Sequence, residues 1–153
     1  MTASTDTATD LIQSIFLVDD ENLFHLVFED ACSLLDISLS LECVNSADEA
    51  ARIFKNLYES SKPRPECVFV DLNLIGSSFD GIELIRKINY EYGNHVVIGI
   101  ISSSNEKEEQ EKAKKAGAQF WIIKSDEIEP RLEEFKRDYL GYKNRTSPFK
   151  VYD

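Results

Sequence analysis

Between residues 12 and 141 the apolar positions switch repeatedly between short runs and helical spacing, the pattern of strands alternating with helices around a parallel sheet. Ser14 to Val18 reads as a first strand. Leu23, Val27, Ala31 and Leu34, with Phe24, Phe28 and Leu35 beside them, then predict the apolar face of a first helix. A second strand falls within Ile37 to Val44, and Ser46-Ala-Asp-Glu49 has the form of a capping box opening a helix that buries Ala50, Phe54 and Leu57. Lys62-Pro-Arg-Pro65 ends that helix, because proline lacks the amide a helix needs and pushes its predecessor toward extended geometry. Cys67 to Val70 is a third strand, and Asp80-Gly81 opens a helix carrying Ile82, Ile85 and Ile88, closed by Tyr92-Gly-Asn94. Val96 to Ile101 is apolar on both faces, as a central strand covered by helices on each side requires. Glu106 to Lys115 holds good helix formers but only one apolar residue, Ala113, so it predicts the least firmly packed helix and a largely solvated face. Gly117 caps it, Phe120 to Ile123 is a fifth strand, and Ile128, Leu132, Phe135 and Tyr139 stripe a fifth helix.

Residues 1–11 and 142–153 lack this periodicity and are expected to be loose tails around a single domain spanning 12–141. Composition narrows the function. Lys and Arg total 17 against 28 Asp and Glu, and the formal charge of -11 repels nucleic-acid phosphates and anionic membrane surfaces. No apolar run reaches the ~18–20 residues of a membrane span and the N-terminus lacks secretory features, so a cytoplasmic location is expected. Cys32, Cys43 and Cys67 form no CxxC pair and have no histidine beside them, and they read as reduced, mostly buried small apolar residues.

In an open parallel sheet, ligands bind at the carboxyl ends of the strands near the point where the winding reverses. Asp19 and Asp20 follow the first strand, Asp71 the third, Ser102 the fourth and Lys124 the fifth, so all five converge on one rim. Three carboxylates brought together repel one another, and a divalent cation is the simplest remedy; hard oxygen donors select Mg2+. An Asp71 carboxylate with an ordinary pKa of ~3.9 is already a nucleophile at neutral pH, while Lys124 and the Ser102 hydroxyl can neutralise and hydrogen-bond a transferred group. The residues describe a phosphoryl acceptor.

FLVDD, CVFVDLN, the Ile-Ile-Ser run and AGAQFWIIK, at these intervals, resemble the receiver domain of response regulators, the phosphoacceptor half of two-component signalling. The resemblance spans about residues 12–141 and implies a doubly wound α/β fold, a five-stranded parallel sheet of flavodoxin-like order 2-1-3-4-5 with helices on both faces. It further implies that Asp71 accepts a phosphoryl group from a histidine kinase or phosphotransfer protein, with Asp20, Asp71 and the Asn73 backbone carbonyl ligating Mg2+ and Asp19 acting through water. Ser102 and Trp121 become the switch pair, whose coupled shift repacks a partner-binding face made of the fourth helix, fifth strand and fifth helix; Asn73, Ser103 and Ser104 would modulate the phosphoryl lifetime. Such a protein is no conventional enzyme, since it catalyses only its own phosphorylation and dephosphorylation. After Tyr142 too few residues remain for an output module, so a stand-alone receiver acting through a protein partner or self-association is expected.

The chain departs from the family pattern in three places. Ser125 follows the conserved lysine where the family usually has proline joined by a cis bond; a cis bond to a non-proline residue costs ~2.5–4 kcal/mol, so a trans Lys124–Ser125 bond is expected. Trp121 is bulkier than the usual Tyr or Phe, and the loop after Asp71 is longer than in compact members. Two other functions compete. A phosphatase of the haloacid-dehalogenase kind needs a second aspartate two positions after the nucleophile, where this chain has Asn73, which cannot donate and recover a proton. A phosphorylation-independent interaction module would keep the fold without the switch. His25 and His95 are read as structural, and Asp19 and Asp20 as helix caps are the plain alternative to a metal site.

Overall fold

The computed structural model describes residues 12–37, 40–60, 62–93, 96–125 and 127–153. In chain order the elements are β1 (Ile15–Val18), α1 (Asn22–Leu34), β2 (Leu41–Val44), α2 (Ala47–Glu59), β3 (Cys67–Asp71) and α3 (Gly81–Tyr92). They continue with β4 (Val97–Ser102), α4 (Lys107–Ala116), β5 (Phe120–Ile123), α5 (Glu129–Lys143) and β6 (Lys150–Tyr152). All strands run parallel in the order β2-β1-β3-β4-β5-β6. The expected order 2-1-3-4-5 is therefore present, and one strand extends it. No helix among the described residues is long and apolar enough to cross a membrane.

The period-2 geometry of the strands divides the core into two layers. Phe16, Val18, Val68, Val70, Ile98, Ile100 and Trp121 face α2, α3 and α4. Ile15, Leu17, Phe69, Ile101, Phe120 and Ile122 face α1 and α5, where Phe69, Phe120, Phe135 and Tyr142 form an aromatic cluster with neighbouring centroids 4.5–5.7 Å apart. Gly99 gives Phe120 its room: a Cβ there would lie 2.5 Å from the Phe120 ring. Ser46 caps α2 by accepting from the Glu49 amide, and Asp80 with Glu83 closes a full capping box on α3. Gly117, at φ 114°, ends α4 as expected.

Two expectations are corrected. The apolar face of α1 is rotated: Phe24, Phe28, Ala31 and Cys32 are buried, whereas Leu23 and Leu34 are 79% and 68% exposed. The helix carries two adjacent apolar rows, and the sheet takes the one whose Phe28 ring meets Phe69 edge-on at 5.0 Å. Residues from Tyr142 onward are no loose tail. Tyr142 is fully buried at the end of α5, and Lys150–Tyr152 adds β6 to the edge of β5, with Tyr152 only 1% exposed. Tyr142 and Tyr152 share a hydroxyl hydrogen bond of 2.8 Å, and Tyr152 donates a second one of 2.7 Å to Asp138, which satisfies both rings' polar ends on burial. The three cysteines are free, as expected; Cys32 and Cys67 are buried and Cys43 half-buried, and burial pushes the Cys32 thiol up to about 12 and that of Cys43 to about 11. Residues 1–11 and His95 lie outside the described residues.

The site depends on one close approach in this frame. A Cβ on Gly81 would lie 2.1 Å from the Asp71 carbonyl oxygen, and the Gly81 amide donates to the Leu72 carbonyl at 3.1 Å. Helix α3 can abut the end of β3 only through a glycine. Gly81→Ala, a change that otherwise favours a helix, is expected to destabilise the protein by about 1–3 kcal/mol in urea unfolding, the cost of overpacking against fixed backbone. An unchanged midpoint would contradict this role.

Candidate functional site

Winding reverses between β1 and β3, and the crevice at their carboxyl ends receives Asp19, Asp20 and Asp71. One carboxylate oxygen from each lies within 4.8 Å of the others. Asp19 is fully buried and Asp71 nearly so, and Asp20 is half-buried. Backbone contacts fix the cluster: the Glu21 amide donates to Asp19 Oδ1 at 2.8 Å, and the Ile75 amide to Asp20 Oδ2 at 3.1 Å. His25 has a structural role here. Its Nε2 lies 2.6 Å from the Asp19 carbonyl oxygen, which only accepts, so that nitrogen carries the proton.

Lys124, at the end of β5, reaches across the rim. Its Nζ lies 2.8 Å from Asp19 Oδ2, 2.7 Å from Glu21 Oε1 and 3.7 Å from Asp71 Oδ2, with the Phe24 ring centroid 4.5 Å away. The Lys124 amide also donates to the Ser102 carbonyl at 2.8 Å, so the ends of β4 and β5 are tied together. Burial works to lower the ammonium's pKa, but hydrogen bonds to Asp19 and Glu21 and the charge on Asp71 outweigh it and raise it above the ordinary lysine value. Among the described residues every peptide bond is trans, including Lys124–Ser125, as expected.

Ser102 is buried, and its Oγ accepts from the Ser104 amide at 3.1 Å. Ser104 Oγ donates to Glu109 at 2.9 Å, and its carbonyl accepts the indole N–H of Trp121 at 3.0 Å. Trp121 lies wholly inside the core. Ser103 and Asn73 are exposed at the mouth. The structure thus gathers Asp19, Asp20, Asp71 and Lys124 into one cluster and puts Ser102 and Trp121 on a connected path through Ser104. Sequence reasoning missed Glu21, which shares the lysine with Asp19, and Phe24, which floors the ammonium; their position in the first turn after the acidic pair was the available signal.

Electrostatics correct the expectation for Asp71. Desolvation, then the charges of Asp19 and Asp20, push its carboxyl up to about 7 from 3.8, against the opposing pull of Lys124 and a backbone hydrogen bond from Asn73. Burial likewise raises Asp19, although Lys124 and the Glu21 amide lower it. Without a cation Asp71 is therefore only partly ionised at neutral pH, contrary to its reading as a ready anion. Three hard oxygen donors gathered at one rim suit a Mg2+ ion, and a thiolate-preferring metal has no ligand in the cluster.

The raised Asp71 pKa has a definite linkage. The folded chain holds a proton that the unfolded chain releases above 3.8, so metal-free stability falls as pH rises from about 4 through about 7. Asp71→Asn removes the repelling charge. At pH 8 without metal it is expected to melt at least ~2–4 °C above the unsubstituted chain, the shift produced by about 1 kcal/mol at this size. That gap should shrink at pH 5, as calorimetry at the two pH values will show. A variant that melts lower at pH 8 would contradict the crowding argument.

The comparisons agree with this geometry. A family model, the response regulator receiver domain, matches residues 15–133. No curated protein matches the chain. Among solved structures, NtrX from Brucella abortus superposes with a TM-score of 0.73 at 23% identity over 88% of this chain, which spans only 28% of NtrX. A response regulator from Thermotoga maritima gives 0.67 at 23% identity, covering 83% of this chain and 97% of its own. The Mn(2+)-bound form of response regulator Rcp1 gives 0.65 at 18% identity, covering 84% and 94%. At these identities the structures attest the fold. With the family model covering residues 15–133, this chain belongs to the response regulator receiver domain family.

Proposed function

We propose that this chain is a Mg2+-dependent phosphoacceptor in which Asp71 takes a phosphoryl group from a phosphohistidine. The observation that carries the reading is the cluster of Asp19, Asp20 and Asp71 within 4.8 Å, with Lys124 Nζ 3.7 Å from Asp71. Receiver domains generally bind Mg2+ at an acidic pocket and interact with histidine kinases and downstream effectors. Here Asp20, Asp71 and the Asn73 carbonyl are assigned as ligands, with Asp19 acting through water. When bound, magnesium supplies the positive charge that keeps the carboxylates ionised and an open position for a phosphoryl oxygen. Rcp1 provides a precedent, its structure being a Mn(2+)-bound form.

An ionised Asp71 oxygen attacks phosphorus; the new O–P bond forms as the N–P bond to the donor imidazole breaks, and the imidazole leaves. Lys124, held within reach by Asp19 and Glu21, neutralises the incoming oxygens, and the Ser102 hydroxyl, close to the rim, hydrogen-bonds them. Asn73, Ser103 and Ser104 line the water's approach and set how long the phosphoryl group stays. The donor docks beside α1. Exposed Leu23 and Val27 flank a cleft shared with Glu21, Phe24, Lys124 and Ser125, an apolar border suited to a donor protein's helix. Ser102 and Trp121 transmit the change to the face made of α4, β5 and α5, where an effector or a second copy binds.

Acetyl phosphate or phosphoramidate with Mg2+ is expected to add one phosphoryl unit to the intact protein by mass spectrometry, and Asp71→Asn to abolish the addition. Unchanged mass, under conditions that label another receiver, would sink the reading in favour of a phosphorylation-independent module. Lys124→Ala should suppress phosphoryl-dependent switching yet leave Mg2+ affinity equal or tighter, because it removes a cation competing for Asp19. Weaker Mg2+ binding in a calorimetric titration would contradict that division of labour.

A further inference from the structure

The corner after Lys124 lacks the rigid proline the family usually has, yet it must hold the lysine ammonium in place among three carboxylates, those of Asp19, Glu21 and Asp71. Ser125 makes no backbone constraint of its own. Arg131, in the first turn of α5, supplies one instead. Its Nη1 donates to Ser125 Oγ and, at 3.1 Å, to the Glu127 carbonyl, while Nη2 donates at 3.0 Å to the main-chain oxygen of Asp153, immediately after β6. A planar guanidinium can make these three bonds at once from a fixed fork, which an ammonium cannot. One side chain therefore joins the lysine corner to the end of the added strand.

A second link runs through the core. Val151 pairs in register with Trp121 on β5, and Val151 and Phe149 pack against the layer that contains the indole. Trp121 in turn donates to the Ser104 carbonyl, and the Ser104 amide donates to Ser102 Oγ. Strand β6 is thus connected to Ser102 by one path and to Lys124 by another. It is also short and carries Lys150, ion-paired to Glu134 and Asp138 at 2.7 and 3.1 Å, features that discourage pairing of its outer edge with another strand. Its placement suits an internal strap better than a docking edge.

We propose that Arg131 is a positioning residue which staples the Lys124–Ser125 corner to β6, so that docking of β6 on β5 and occupancy of the carboxylate rim by a phosphoryl group are one coupled equilibrium. The proposal rests on the phosphoacceptor reading and adds to it a control element that the five-stranded fold lacks. Docked β6 holds Ser102 and Lys124 where a phosphoryl group needs them, and the coupling is therefore positive. By thermodynamic reciprocity, an occupied rim tightens β6 by the same factor that a docked β6 tightens rim binding.

The test uses the full chain and the phosphoryl mimic beryllofluoride with Mg2+, read by hydrogen exchange and by the fluorescence of Trp121, the single tryptophan. In the unsubstituted protein, saturating mimic is expected to slow amide exchange across 150–152 about 5-fold or more, the lower range of ordinary coupling energies. Unchanged exchange there, with the mimic bound, overturns the proposal while leaving the phosphoacceptor reading intact. Failure of the mimic to bind at all overturns both. Arg131→Ala and Val151→Asp, which attack the strap from opposite ends, should each weaken mimic affinity about 5-fold or more, with little further loss when combined, and Arg131→Lys should not rescue. Lower melting temperatures with undiminished mimic affinity would reduce Arg131 to a structural residue and overturn the proposal. Where a variant does not fold, the exchange measurement on the unsubstituted chain decides alone.

Discussion

Too much negative charge in too little water is the constraint around which this molecule is organised. Asp19 and Asp71 lie at the ends of β1 and β3, central strands buried on both faces, and burial raises the pKa of both carboxyls. Lys124 relieves part of this, but its closest partners are Asp19 and Glu21, and at 3.7 Å it serves Asp71 least. The remaining deficit falls on Asp71, the residue that the phosphoacceptor reading makes the nucleophile. On that reading a cation that completes the charge balance also creates the nucleophile, and binding and reactivity become one event.

The fold holds this unfavourable cluster in place by spending rigid contacts around it. Asp19 is fixed through both its carboxylate and its carbonyl, by the Glu21 amide and by His25. Asp20 is tethered to the loop after β3 through Ile75, and the end of β3 is wedged by the glycine at the start of α3. Each tether comes from a different element, so the carboxylates cannot spread apart without unpacking α1, the β3 loop or α3. Repulsion is stored rather than relaxed.

Much of this was legible in the sequence because the signals were local and periodic. The strand runs, the capping residues Ser46 and Asp80 and the terminal glycine of α4 each depend on a few neighbouring residues, and the placement of Asp19, Asp20, Asp71, Ser102 and Lys124 follows from the rule that strand ends converge. What was not legible depended on tertiary choice. Two apolar rows on α1 were equally plausible, and the aromatic partners Phe69 and Phe28 decided between them. Glu21 is a surface-type residue whose importance arises only when Lys124 arrives from 103 residues away. Strand β6 has just three residues, and its alternation of Lys150, Val151 and Tyr152 is too brief to stand out until the open edge of β5 and the Asp138 and Tyr142 hydrogen-bonding groups are known. The Asp71 pKa is hidden for the same reason, since burial is a property of the assembled rim.

Trp121 shows how such late-arriving contacts constrain a buried side chain. Its indole fills a core at close-packed density and its only donor is satisfied by Ser104, so a small displacement would sacrifice dispersion contacts and a hydrogen bond together. A side chain of this size in such surroundings does not move by degrees. It either stays packed between its strand neighbours Ile100 and Val151, or it leaves a cavity that the layer must close by rearrangement. The strand that closes the sheet edge thus also sets the height of the step, because one of the two neighbours, Val151, belongs to it. On the phosphoacceptor reading, in which Trp121 answers phosphorylation, the added strand disfavours intermediate positions of the indole.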